Sequence, residues 1–247
     1  MWSVSAEVDH ALRLLSDSAS RWRSLRAAGR EWRHEARLHQ AFRRGTPPGA
    51  VTIESVGPPV PDEREERWSV WIEQPGRRRA EFAVGTETVV VVFHGHTWWS
   101  WAPMLGARTN GGRRNSGHGV GPSQGLIETA LLPPAFRFEW IGEERCLERA
   151  ALLVRAVPAP LDGPTPSLAH HVLGTGADEH LLTIDAERGM LLRAEARSAG
   201  EPFRVIEMTE VAFDEELPPG TFEIELPPGM VFDDIDLATQ FRLRRPR

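Results

Sequence analysis

Residues 67–101 read RWSVWIEQPGRRRAEFAVGTETVVVVFHGHTWWSW, and their alternation decides the fold class. Trp68, Val70 and Ile72 share one side of an extended chain, and Ala80, Phe82 and Val84 share one side of the next. Successive side chains of a strand point to opposite faces, so this period of two describes half-buried strands. Pro75-Gly76 and Gly85-Thr86 break the pattern as turns, residues 89–93 form a continuous apolar strand, and His94-Gly95-His96 reverses the chain into residues 97–101. Turns this short between alternating segments predict an antiparallel meander.

N-terminal to the meander, Val4, Val8, Leu12, Leu15, Ala19, Trp22 and Leu25 recur at spacings of four and three, which predicts an amphipathic helix. Ser3 or Ser5 can cap it, Glu7 and Asp9 suit its positive end, and Gly29 can stop it. Trp32, His34, Ala36, Leu38, Gln40 and Phe42 then alternate with polar residues and predict a strand, followed by a proline- and glycine-rich loop over 45–62. C-terminal to the meander, residues 105–125 are glycine-rich and read as a long flexible loop. Residues 125–132 read as a short helix ended by Pro133-Pro134. Strands are expected over 150–157, 180–185, 190–197 and 203–213, with a proline-rich linker over 158–166.

The chain has 247 residues, 40% of them apolar, enough for a sizeable core. No linker separates two cores, so one domain over 1–236 is expected, followed by a short basic tail over 237–247. The formal net charge of −6 argues against general nucleic-acid binding. All 29 basic residues are Arg. Acidic residues crowd positions 178–236, which reads either as a solvated face or as a partner-docking face. Cys146 is the single cysteine, so no disulfide forms within the chain. Residues 1–30 lack the basic–apolar–small pattern of a secretion signal. No stretch approaches the roughly 18 apolar residues of a membrane-spanning helix. The expected location is cytoplasmic as written, or exported if the true start lies upstream.

The C-terminal third carries a resemblance. His180-Leu181-Leu182-Thr183-Ile184-Asp185 is followed by a turn and Met190-Leu191-Leu192-Arg193. Then come Thr209-Glu210-Val211-Ala212-Phe213-Asp214 and Leu217-Pro218-Pro219-Gly220-Thr221-Phe222-Glu223-Ile224. This order resembles the LolA/RseB lipoprotein-carrier superfamily. Leu131-Leu132-Pro133-Pro134 is similar to its short plug helix, and residues 142–158 to its next strand pair. The resemblance implies an α+β fold: a strongly curved antiparallel sheet, or half-barrel, with an N-terminal helix, short plug helices and an apolar cavity. Typical members are exported or lipid-anchored, and this chain shows no leader pattern.

Local chemistry is sparse. Trp98, Trp99 and Trp101 lie within four residues, and alternation sends Trp98 to one face and the other two to the opposite face. The bland reading is a sheet covered on both sides; the sharper one is a ligand cavity on one of them. His94 and His96, His118, and the pair His170-His171 lack the three or four convergent ligands a metal needs, so no metal is expected. No Ser nucleophile elbow, phosphate-binding loop or dinucleotide fingerprint occurs. The expectation is a non-enzymatic carrier without cofactor, binding a lipid or acyl chain. Its candidate lining residues come from alternation and the family layout: Leu38, Trp68, Val70, Ile72, Phe82, Val91, Trp98, Leu126, Ile127 and Leu131. The alternative is a regulatory protein-interaction module of RseB-like type, with a filled interior and a used surface.

Overall fold

The computed structural model describes residues 5–45, 61–113, 119–160 and 167–235. The loop over 45–62 and the linker over 158–166 fall mostly outside the described residues, and the basic tail and His118 wholly so. Helix α1 (Ala6–Asp17) leads into strand β1 (Ser24–His34), helix α2 (Glu35–Gly45) and strand β2 (Glu63–Glu73). Strands β3 (Arg77–Val84), β4 (Glu87–His94), β5 (Thr97–Ala102) and β6 (Gly106–Thr109) follow. Helix α3 (Gln124–Ile127), strands β7 (Phe136–Cys146) and β8 (Arg149–Pro158), and helix α4 (Leu168–Leu173) come next. Strands β9 (Glu179–Asp185), β10 (Leu191–Ser198), β11 (Glu201–Phe213) and β12 (Asp233–Asp234) complete the order.

The chain is α+β. Its strands form one open sheet in the order β12-β6-β5-β4-β3-β2-β1-β11-β10-β9-β8-β7. The two end strands are different, so the sheet does not close on itself, as a half-barrel requires. The ladders β2 through β6 and β7 through β11 are antiparallel. Only the short β12 pairs in parallel, with β6, among the described ladders. Cα packing divides the chain into two compact units. The first comprises Met1–Arg21, Gly29–Glu66 and Gln124–Thr209; the second comprises Trp22–Ala28, Arg67–Ser123 and Glu210–Arg247.

In the first unit, the Ser5 side chain accepts a hydrogen bond from the Val8 amide, and Glu7 and Asp9 occupy the first turn of α1. Val8, Ala11, Leu14 and Leu15 are its buried stripe. The helix is shorter than its spacing predicts. Ser18-Ala19-Ser20 tightens into a 3₁₀ turn, with the Arg21 amide donating to the Ser18 carbonyl. Serines compete with the helical backbone for hydrogen bonds, which favours such an exit. Leu25 and Gly29 therefore lie in β1, where burial alternates with the exposed Arg26 and Arg30.

The strand expected over 32–42 ends at His34, and the rest is helix α2. Glu35-Ala36-Arg37-Leu38 and Gln40-Ala41 are strong helix formers, and Leu38 and Ala41, three apart, pack on Ala177, Ala196 and Phe203. Gly176 makes this approach feasible. Its φ is +84°, and a Cβ there would fall onto the Ala41 carbonyl. The strand pair expected over 142–158 is longer, running from Phe136 to Pro158, and turns at Leu147 and Glu148. The loop expected over 105–125 contains strand β6 and a 3₁₀ turn over Gly121–Ser123. Thr109-Asn110-Gly111-Gly112 shortens the loop by turn chemistry. Helix α4 interrupts a stretch whose prolines masked it in the sequence.

Candidate ligand-binding face

The second unit gathers six of the ten candidate residues on one face of its meander. Across β2, β3, β4 and β5 the register aligns Val70, Ala80, Val91 and Ser100 in one row. Ile72, Arg78, Phe93 and Trp98 form the next row, and Trp68, Phe82 and Val89 the one on the other side. Directly opposed residues of an antiparallel pair share a face. Trp68, Val70, Ile72, Phe82, Val91 and Trp98 therefore share one face, with Arg78 and Ser100 set among them. Phe82 and Phe93 are half-buried, while Trp68, Val70, Ile72, Val91 and Trp98 are at most 3% exposed. Five of the six candidates are thus enclosed, while Phe82 remains partly open.

The opposite face carries Trp99 and Trp101, both half-buried, as alternation predicts. Trp99 meets His94 edge-on, with centroids 5.4 Å apart. Arg79 lies over Trp71 at 5.9 Å and donates to the Glu223 carbonyl at 2.6 Å. Residues 221–223 are thereby tied to this side of the meander.

Two features that the sequence reading missed position the candidate face. Asn110 is fully buried: its Oδ1 accepts from the Trp98 amide at 3.0 Å, and its Nδ2 donates to the His96 and Arg113 carbonyls. The Asn-Gly-Gly turn was the available signal. The second is a roof. Gly121, at φ +67°, sits so close to Phe82 that a Cβ would lie 2.7 Å from its ring. Val120 and Ser123 beside it are buried. One polar atom on the face is unanswered: the Trp68 indole Nε1 is buried with no hydrogen-bond partner.

The other four candidates belong to the first unit. Leu38 is on α2, Leu126 and Ile127 are buried on α3, and Leu131 is half-buried in the 3₁₀ turn Thr129–Leu131.

Two open grooves lie elsewhere. One in the second unit, about 690 Å³, is lined by Glu73, Asp214, Glu215, Glu216 and Glu223 together with Arg23 and Arg77. One in the first unit, about 430 Å³, runs between Glu7, His10, Trp140 and Leu152. None of the ten candidates lines either groove. Among the described residues no three His, Cys, Asp or Glu side chains converge as metal ligands. Cys146 is half-buried, and burial, reinforced by Glu144, pushes its thiol pKa up, away from nucleophilic use.

No family model and no curated protein matches the chain. Solved structures do. MucB is 14% identical, with a TM-score of 0.53, covering 91% of this chain and 70% of MucB. An uncharacterized conserved protein from Thermus thermophilus is 14% identical over 92% of this chain and 96% of its own, with a TM-score of 0.48. A LolA superfamily protein from Nitrosomonas europaea is 10% identical over 87% of this chain and 96% of its own, with a TM-score of 0.32. At these identities the likeness concerns the fold alone, and the fold is LolA/RseB-like.

Proposed function

We propose that the chain is a non-enzymatic binding module whose ligand is amphipathic, a lipid or another acyl chain with an oxygen-bearing head, received on the Trp68–Trp98 face. The observation that carries this reading is the Trp68 indole N–H, buried on this face among apolar neighbours without an acceptor. An unpaired buried donor costs about 1–3 kcal/mol, and a ligand oxygen would relieve that cost. The rings of Trp68, Phe82 and Trp98 would supply apolar contact worth about 25 cal/mol per Å² buried. The half-buried Phe82, beside the Val120–Ser123 turn, is the open end of the face at which a ligand would enter. Native mass spectrometry of the purified protein, with organic extraction, tests the reading. A co-purified lipid that is lost on extraction supports it.

A specific observation favours a second reading, a regulatory protein-interaction module. Five of the six face residues are enclosed, and the larger groove is open and acidic. Extraction that releases nothing apolar, together with a stoichiometric protein complex surviving purification, would favour that module over the carrier.

A further inference from the structure

His180 is fully buried on β9, and neither of its ring nitrogens has a hydrogen-bond partner. The register sets it between two small residues, Ala156 on β8 and Ala196 on β10. Phe138 and Arg204 stand at the two ends of that row. His170 of α4 is also buried. Its Nδ1 meets the Ser167 hydroxyl at 2.6 Å, and its Nε2 is unpartnered. Both imidazoles pack on the Phe136 ring, with centroids at 4.8 Å and 5.1 Å. Two histidines thus share a dry apolar seat, and α4 brings one of them to it.

Four of the six residues of the helix are buried. Gly174, just past its end, sits so close to Ala196 and Phe203 that a Cβ would crowd both. Arg204 donates to the Val172 carbonyl at 2.8 Å, and its Nε donates to Glu31 at 2.6 Å. Gly125 of α3 lies against the Val172 carbonyl. Six residues of helix have little stability of their own, so docking is what keeps α4 formed.

We propose that α4 is a pH-sensitive latch, which undocks from the β9–β10 surface when the His170–His180 pair becomes protonated. An imidazolium at His180 would be buried without an acceptor for either N–H, and one at His170 would have only the Ser167 hydroxyl to accept, at a cost that grows steeply with burial. The charged groups nearby do not help. Arg204 is positive and disfavours a charged His180, as does a charged His170. Glu31, the carboxylate closest in the chain of contacts, is engaged by Arg204. The remaining α4 titratable group, His171, is exposed to solvent. Undocking lets both imidazoles hydrate and exposes Val172 and Leu173, both now buried, while α2 still packs on Ala196 and Phe203. The latch operates whatever the module binds, and its test is independent of any ligand.

The sign follows from linkage. Burial, then His170 and Arg204, lower the docked His180 pKa to about 3. Burial also lowers that of His170. Undocked, each returns toward about 6.5. The open state then binds more protons, so docking is fully stable above about pH 6.5 and weakens as pH falls from there toward 3. His180 alone predicts about 30-fold more opening at about pH 5 than at about pH 7.5.

Amide hydrogen exchange, expressed as protection factors so that intrinsic rates cancel, measures this directly. Protection of α4 amides should fall about 30-fold or more between those pH values, while β4 and β5 stay protected. His180→Phe keeps a ring against Phe136 and should remove most of the fall. Equal α4 protection at both pH values overturns the proposal, and so does an undiminished fall in His180→Phe. Should that variant not fold, the wild-type His180 imidazole titration by NMR decides. A midpoint near 6.5 with α4 still protected overturns the latch, and a midpoint well below it supports it.

Discussion

At the residue scale, Trp98 and Trp99 are neighbours in sequence with opposite fates. Trp98 is 2% exposed, with its backbone amide and carbonyl held by Asn110 and Thr109. Trp99 is half-buried and touches His94. Trp98→Ala should therefore cost about 3–5 kcal/mol of folding stability, as large buried truncations do, and Trp99→Ala clearly less. Urea unfolding of both variants checks the difference; equal losses would refute the face assignment. This opposition was legible in the sequence, because a strand's period of two needs only counting. The unpaired Trp68 N–H and the unpaired nitrogens of His180 were not legible. Whether a polar atom finds a partner is set by what packs around it, and those neighbours come from distant parts of the chain.

At the level of elements, the meander was readable for a local reason: Pro75-Gly76, Gly85-Thr86 and Gly95-His96 fix both the turns and the register. The stretch over 18–45 was not. Leu25 lies three residues beyond Trp22, a helical spacing, yet it is buried in a strand. Leu38 lies two residues from Ala36 and Gln40, a strand spacing, yet it belongs to a helix. Each local pattern is satisfied by either period, and tertiary packing chooses. The packing of α2 is what makes Gly176 irreplaceable. With both a left-handed φ and the Ala41 carbonyl in the way, Gly176→Ala should cost about 2–4 kcal/mol. Gly85→Ala is the control, since its φ of +65° is strained but nothing lies within 4 Å. It should cost only about 1–2 kcal/mol. Thermal unfolding of the two proteins tests the ranking, and a Gly176→Ala protein no less stable than Gly85→Ala would show that α2 does not pack on this turn.

For the whole molecule, the sequence carried the class through its C-terminal third, and the structure carries it through the open antiparallel order of strands. The grouping of the candidate residues was legible in part. Six of the ten candidates do share one surface, since they were placed by alternation within a meander whose register the turns define. Leu126, Ile127 and Leu131, drawn from a helix, and Leu38, drawn from an expected strand that is helix α2, belong to the other compact unit, because alternation says nothing about where a helix docks. The enclosure of the face residues was beyond the sequence as well, and the 3₁₀ turn that sets Gly121 against Phe82 lies inside a segment whose glycines read as loop.

The central claim is that the Trp68–Trp98 face receives an amphipathic ligand through its unanswered indole N–H. The most direct measurement is equilibrium titration of intact, folded protein with a fluorescent acyl probe bearing a carboxyl head, followed by quenching of tryptophan emission. The account predicts saturable binding. It also predicts that Trp68→Phe, which keeps the ring and removes the donor, weakens it by about 2- to 13-fold, the value of one hydrogen bond of about 0.5–1.5 kcal/mol. A hydrocarbon probe without a polar head should bind both proteins alike. The absence of saturable binding to folded wild-type protein would contradict the claim, and equal affinity of the carboxyl probe for wild type and Trp68→Phe would contradict the role given to the indole.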